Sequence, residues 1–317
     1  MQAYIIRRLI WAVPTLFGAI TLVFLIMNVL PGDVATIILG EEEVRIDPQE
    51  LFLLREQLGL NRPLYEQYFS WLSGVFRLDF GNSLWTGESI ARMLSIRLPY
   101  TLTLLGLTVM VSVLIAIPIG VFSALNRDSW IDYGLRIFAI SGLSIPSFWF
   151  AMLVLLIVVG YFKWFPPIEY ATIYKNPWVT IQQLFLPAMA LGYRAAAISA
   201  RMMRSTMLEI MGEDYIRTAR AKGLLERTVV YIHALRNAIL PVISIFGMEV
   251  IFLFGGSVII ENIFNIPGVG RLIVEAIQQR DIPLVQTVVM FMVIFVLVIN
   301  LLVDLLYAWV DPRIRYR

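Results

Sequence analysis

The chain has 317 residues, of which 59% are hydrophobic and 15% charged, and a net charge of +2. Soluble domains hold about 45–50% apolar residues even with glycine counted, and about 25% charged ones, so a soluble body of this composition could not cover its own surface. The same numbers exclude disorder, collagen and coiled coil, zero cysteines exclude disulfides and thiolate sites, and the lone His233 excludes multi-histidine metal centres, which leaves a polytopic, all-α membrane protein.

A spanning helix needs about 20 mostly apolar residues, because about 30 Å of hydrocarbon is crossed at about 1.5 Å per residue. Six stretches have that length, approximately 9–30, 99–125, 133–162, 184–203, 238–261 and 284–309. The first follows Arg7 and Arg8, as a signal peptide would. Its apolar run is too long for one, and no small-residue cleavage site closes it, so it reads as an anchor. The fourth is the least apolar, with Pro187, Gly192, Arg194, Arg201 and many alanines, which suits a helix packed closely against protein. Pro118, Pro146, Pro187, Pro241 and the Gly255-Gly256 pair fall inside spans, where breaks are tolerated if neighbours re-satisfy the backbone. Six spans put both termini on one side. The segments facing that side carry an excess of arginine over acid, and those opposite an excess of acid, so that side is the cytoplasm.

The chain thus divides into 1–30 (cytoplasmic end and first span), 31–98 (external segment), 99–310 (remaining spans, with a cytoplasmic loop at 204–236) and a tail at 311–317. In the external segment, Leu51, Leu54 and Leu58, then Tyr65, Tyr68, Phe69 and Leu72, recur at helical spacing. Asn61-Arg62-Pro63 separates these two helices, and Leu78-Asp79-Phe80-Gly81 ends the second. The segment serves either as a cap on the bilayer surface or as a docking face for an external partner.

The 204–236 loop is helical in propensity but too polar to span. Met207, Met211, Tyr215 and Ala219 fall four apart, as an apolar stripe would. Glu213 and Arg217 have the spacing and polarity of a favourable i,i+4 pair, and Gly212 and Gly223 punctuate the helices. Such an exposed helix either presses into another protein's groove or rests on anionic lipid.

Catalysis has little support. A phosphate-binding loop needs Gly-Lys before a hydroxyl residue. The lysines, Lys163, Lys175 and Lys222, follow Phe162, Tyr174 and Ala221. His233 has no second ligand at metal spacing and reads as a packing histidine. Ser144 and Ser147 flank Pro146 with no base in reach, and read as capping serines at a kink. Carboxylates within spans are costly and functional candidates by default. Glu249, mid-span beside Gly247, either lines a pathway or is a structural carboxylate. Asp304 lies close to the cytoplasmic end and is expected to pair with a basic group such as Arg313, and Asn300 one turn earlier reads as interhelical glue.

The run Gly212-Glu213-Asp214-Tyr215-Ile216-Arg217-Thr218-Ala219-Arg220-Ala221-Lys222-Gly223, with His233-Ala234-Leu235-Arg236-Asn237-Ala238 and Leu240-Pro241, resembles the cytoplasmic loop of binding-protein-dependent ABC importer permeases of the dipeptide/oligopeptide branch. Leu58-Gly59-Leu60-Asn61-Arg62-Pro63 with Glu66-Gln67-Tyr68 resembles that branch's external segment. Glu261-Asn262-Ile263-Phe264, Pro267-Gly268-Val269-Gly270-Arg271 and Arg280-Asp281-Ile282-Pro283-Leu284-Val285-Gln286 resemble its signature after the fifth span. Asp311-Pro312-Arg313-Ile314-Arg315 resembles its usual ending. Where the general importer loop has Glu-Ala-Ala, this chain has Arg217-Thr218-Ala219, as the peptide branch does.

The resemblance implies the six-helix type I importer permease fold in a prokaryotic inner membrane. It implies pairing with a second homologous permease, two cytoplasmic ABC ATPase subunits that bind ATP and Mg, and an external substrate-binding protein. It implies no cofactor or metal in this chain and no nucleic-acid partner. The coupling helix would lie near 211–217, with Met211, Gly212, Glu213, Asp214, Tyr215, Arg217, Ala219 and Gly223 as coupling residues, and Glu249 and Asn300 would belong to the pathway. Di- or oligopeptides are the substrate it implies; nickel, glutathione and oligosaccharides are alternatives within the branch. A self-contained secondary transporter is the rival class, and no internal repeat supports it.

Overall fold

The computed structural model describes residues 2–29, 34–39, 47–167 and 170–310. Among them the ordered elements are helical, apart from an isolated antiparallel bridge between Asn82 and Ser89. The helices are α1 (Gln2–Val29), α2 (Val34–Leu39), α3 (Pro48–Gln57), α4 (Leu64–Phe76), α5 (Ile90–Leu125), α6 (Trp130–Ser144) and α7 (Ser147–Gly160), followed by α8 (Pro177–Met211), α9 (Asp214–Ala221) and α10 (Glu226–Thr228). A π-helical turn, Val229–Ala234, leads into α11 (Leu235–Ile263), then come α12 (Val269–Gln278) and α13 (Ile282–Val310). Two compact units are formed, Met1–Pro99 with Pro267–Val298, and Tyr100–Ile266 with Ile299–Arg317.

Among the described residues four helical stretches are long and apolar enough to cross a membrane: Ile10–Met27, Ile90–Leu125, Glu226–Ile263 and Ile282–Val303. The expected span at 133–162 is two helices, α6 and α7, bent by 109° at Ile145-Pro146. Proline lacks the N–H that would continue the helix and pushes the preceding residue to extended backbone, and Ile145 has ψ 124°. The other span prolines behave differently. α5 continues through Pro118, α8 through Pro187 and α11 through Pro241 and the Gly255-Gly256 pair. The fourth expected stretch lies inside α8, which is not apolar enough to count as a span by composition.

In the first unit, α3 starts at Pro48 with the Asp47 carboxylate accepting the Gln49 N–H at 3.0 Å, a cap followed by the preferred first-turn proline. Pro63 precedes α4, and Leu78 at φ 60° ends the turn after it, so α3, α4 and their breaks fall where their spacing predicts. α4 lies along α1. Tyr68 packs edge-on against Phe24 at 5.1 Å and shares a 2.7 Å hydrogen bond with Thr21, and Phe76 meets Phe17 at 6.1 Å. Those pairings run antiparallel. Residues 31–33 and 40–46 of this segment lie outside the described residues. The Asp281 carboxylate, fully buried, accepts from the Ser83 hydroxyl at 2.5 Å and caps α13 through the Leu284 N–H at 3.3 Å. The Arg280-Asp281-Ile282-Pro283 motif is therefore a structural joint.

In the second unit, α8 is the central element and packs on α6, α7 and α11. Its small residues make this possible. A Cβ on Gly192 would stand 3.0 Å from Val111 of α5, one on Gly142 of α6 would stand 2.8 Å from Ala197, and one on Gly120 of α5 would stand 2.5 Å from Met203. The reading of 184–203 as a helix wrapped by protein holds. Glu261, fully buried at the end of α11, accepts from the Thr101 hydroxyl at 2.7 Å.

Candidate functional site

The loop between α8 and α11 is built by its glycines. Gly212 caps α8, and Gly223, at φ +76°, closes α9 in the left-handed region that glycine enters without a steric penalty. The helix near 211–217 is instead α9, Asp214–Ala221, because Gly212 ends one helix and Glu213, in extended backbone (φ −68°, ψ 148°), caps the next.

This break changes two expectations. Met207, Met211, Tyr215 and Ala219 do not form one stripe, since they belong to two helices. Met207 and Ala219 are buried, whereas Tyr215 is 42% exposed. The buried face of α9 is Ile216 with Ala219. Glu213 likewise does not pair with Arg217. Its side chain precedes the helix, and the Arg217 guanidinium meets Asp214 at 3.3 Å, three residues away.

α9 has two distinct faces. Ile216, fully buried, and Ala219 enter an apolar cluster with Val121 of α5, Met203 and Met207 of α8, Val229 and Val230 of the π-turn, and Val242 of α11. Glu213, Asp214, Arg217 and Thr218 face outward. Three polar contacts tie the loop down. The Asn237 amide donates to the Tyr215 hydroxyl at 2.9 Å and to the His233 carbonyl at 3.2 Å, and Arg220 makes a two-pronged contact with Glu226 at 2.7 and 3.1 Å. The Glu226 carboxylate raises the Arg220 pKa, and Arg220 in turn holds Glu226 below its ordinary value. His233 sits half-buried in the π-turn, as a packing residue. Because the cluster spans α5, α8, α9 and α11, a push on α9 is a push on long helices.

By sequence Asp132 falls between the second and third expected spans, where a loop charge would lie. The structure buries it completely at the start of α6. Arg204 of α8 grips it with two bonds at 2.8 and 2.6 Å, Ser123 of α5 donates at 2.5 Å, and the Asp128 N–H donates at 3.1 Å. With every partner in place the charge is satisfied, and three helices are pinned beside the loop. The legible signal was Ser129, whose hydroxyl caps Asp132 N–H at 3.2 Å and marks a helix start.

Glu249 is buried on α11. It shares a cavity of about 20 Å3 with Arg194 of α8, Ser147 of α7 and Phe252. That volume admits about one water molecule, and no peptide side chain, so in this conformation Glu249 faces Arg194. The Ser144 hydroxyl donates to the Ile140 carbonyl at 3.1 Å, an ordinary i−4 back-bond within α6, and no side chain caps α7, so the two serines do not cap the kink. Ser147 lines the Glu249 cavity. Asn300 is half-buried on α13 and does not line that cavity. The side chain of Asp304 and the whole of Arg313 lie outside the described residues, as does the terminal Asp311–Arg315 motif. Among the described residues no group of three or more His, Asp or Glu could hold a metal ion.

Residues 116–316 match the family described as the binding-protein-dependent transport system inner membrane component, and residues 1–105 match the N-terminal region of such membrane components. The chain is 41% identical over 319 residues to the oligopeptide transport system permease protein AppB of Bacillus subtilis, and 38% identical over 317 residues to the glutathione transport system permease protein GsiC of Escherichia coli K12, with 100% of each chain covered. Among solved structures it is similar in fold to a chain of the MetNI methionine ABC transporter in an inward-facing conformation. That likeness has a TM-score of 0.56 and 19% identity, and covers 70% of this chain and 97% of that one. The fold and the full-length relatives agree, and the chain belongs to the family of inner membrane components of binding-protein-dependent transport systems.

Proposed function

We propose that this multi-pass membrane protein is the permease subunit of an ATP-driven importer of di- and oligopeptides. In this reading it crosses the inner membrane of a prokaryote six times, with α8 as one of the crossings and both termini in the cytoplasm. It pairs with a second, homologous permease, receives cargo from an external binding protein and is driven by two ATPase subunits that carry the ATP and Mg chemistry. The domain boundaries follow from the same reading, with 31–98 outside and 204–236 against the ATPase.

The observation that carries this reading is the two-faced helix α9. Its inner face, Ile216 and Ala219, is locked into a cluster shared with long helices, and its outer face presents Asp214 and Arg217. A partner that grips the outer face differently in two states drives the helices between two arrangements, since only a difference in contact energy shifts such an equilibrium. Met211, Gly212, Glu213, Tyr215 and Gly223 set the shape of that lever. Glu249 and Arg194 form a wall of the pathway, with Asn300 further along, and transport requires their small cavity to open. The full-length likeness to AppB supports peptides as cargo. The likeness to GsiC favours glutathione, itself a modified tripeptide, as the second reading.

The test is mass spectrometry of the complex extracted by a tag on this chain, followed by reconstitution in vesicles. A second permease, ATPase subunits and ATP-dependent uptake of a labelled dipeptide are expected, with Asp214→Ala/Arg217→Ala uncoupling ATP hydrolysis from uptake. Uptake by this chain alone, driven by a proton gradient without ATP, would refute the importer. In the same vesicles, Glu249→Gln is expected to slow cationic peptides more than neutral ones, and an equal effect on both makes Glu249 a structural counter-ion of Arg194.

A further inference from the structure

α5, α6 and α8 enclose a second cavity, of about 320 Å3, within the size range of small-molecule sites. Three arginines line it, Arg136 of α6 and Arg201 and Arg204 of α8. Arg204 is matched by Asp132, whose two oxygens are already engaged. Arg136 stands 5.7 Å over the Tyr133 ring, and among the described residues no carboxylate pairs with it or with Arg201. Both are exposed. Two positive charges are left over. The rest of the wall is mainly aliphatic, with Ile119, Ile140 and Leu143, apart from Ser123 and Ser205.

The depth of this cavity follows from neighbouring aromatics. Trp130 and Tyr133, with rings 6.2 Å apart, open α6, and Trp130 is 92% exposed. Exposed indole and phenol rings at a helix end mark the headgroup level of a bilayer. Arg136 follows less than two turns along the same helix, and Leu143 lies about 10 Å deeper at the rise of an α-helix. Cationic residues at headgroup level with an aliphatic wall beneath them reproduce, in order, the phosphate and the acyl chain of a phospholipid.

We propose that this cavity binds an anionic phospholipid, with the headgroup phosphate on Arg136 and Arg201 and an acyl chain along Ile140 and Leu143. A zwitterionic lipid is disfavoured, because its ammonium group would meet the same guanidinium groups with no carboxylate among the lining residues to receive it. The site lies beside the Asp132–Arg204 bridge, so an occupied site stiffens the joint between α6 and α8.

Native mass spectrometry of the full chain in mild detergent tests this with three probes: phosphatidylglycerol, phosphatidylethanolamine of the same acyl length, and inorganic phosphate. Phosphatidylglycerol is expected to be retained and phosphatidylethanolamine to dissociate, with inorganic phosphate displacing neither. Arg136→Gln/Arg201→Gln is expected to weaken phosphatidylglycerol about thirty-fold, each basic residue near an anionic lipid contributing about five-fold. Should the double variant misfold, Arg201→Gln alone is expected to show about a five-fold loss. Equal retention of the two lipids, displacement by inorganic phosphate, or unchanged phosphatidylglycerol binding by well-folded variants overturns the proposal.

Discussion

Replacing Ile216 with alanine tests whether α9 is a helix held by its neighbours. Isolated helices shorter than about 12–15 residues are marginal in water, so this one, at 8 residues, depends on tertiary contacts. The structure offers three. Burying an isoleucine side chain contributes about 1.5–3 kcal/mol, and Ile216 is fully buried. The Arg220–Glu226 pair has side chains 41% and 57% exposed, where solvent screening leaves about 0.2–1 kcal/mol. The exposed Asn237–Tyr215 bond contributes about 0.5–1.5 kcal/mol. Truncating a buried isoleucine to alanine costs about 2–5 kcal/mol, so Ile216→Ala should lower the opening free energy of α9 by at least about 2 kcal/mol, about thirty-fold in the opening equilibrium. Arg220→Ala should change it by about five-fold or less. Hydrogen exchange of the full chain in detergent reads this directly from the amides of 217–222, which bond back to carbonyls such as Glu213 and Thr218. Equal protection losses in the two variants, or none in Ile216→Ala, would refute the claim that apolar burial holds α9 in place.

Further tests bear on the packing around it. Asp132→Ala leaves the Arg204 guanidinium without its carboxylate, and thermal unfolding of the purified chain should show a loss of about 3–5 kcal/mol, against about 1 kcal/mol for Ser123→Ala. Gly247→Ala puts a Cβ 2.5–2.6 Å from both methyls of Val303; the strain should destabilise by about 1–3 kcal/mol, and Val303→Ala on the same chain should recover much of it. The Arg220–Glu226 contact carries a pH signature. Because Glu226 titrates below its ordinary 4.5 when folded, its contribution is present above pH 4.5 and fades as the pH falls through the lower folded value. Exchange in the loop should therefore be slower in wild type than in Glu226→Gln above pH 4.5, and the two should converge in acid.

Much of this architecture is written locally. Membrane class follows from composition, and apolar runs locate α1, α5, α11 and α13, because a helix that must face hydrocarbon needs nothing but its own residues and backbone bonds to be recognised. Pro63 ahead of α4 and Gly212 and Gly223 around α9 were legible for the same reason, since each acts through its own backbone geometry; that Pro146 breaks its span while Pro118, Pro187 and Pro241 do not was decided by packing. The glycine-bounded motif of residues 212–223 also marks the loop by sequence alone. What the sequence could not determine depends on residues far apart in the chain. Asp132 reads as a solvated loop charge until Arg204, 72 positions away, is brought against it. Ile216, rather than Tyr215, became the anchor of α9 because Gly212 resets the helical phase, and a four-residue spacing carries no information across such a break. α4 reads as a surface helix until Tyr68 meets Thr21 and Phe24 of α1. Glu249 shows no partner in the sequence until Arg194, 55 positions earlier, is brought to the same small cavity. In each case a charge or an apolar face states only that it needs a partner; which partner, and how much room is left between them, is decided by the packing of helices that the chain places side by side.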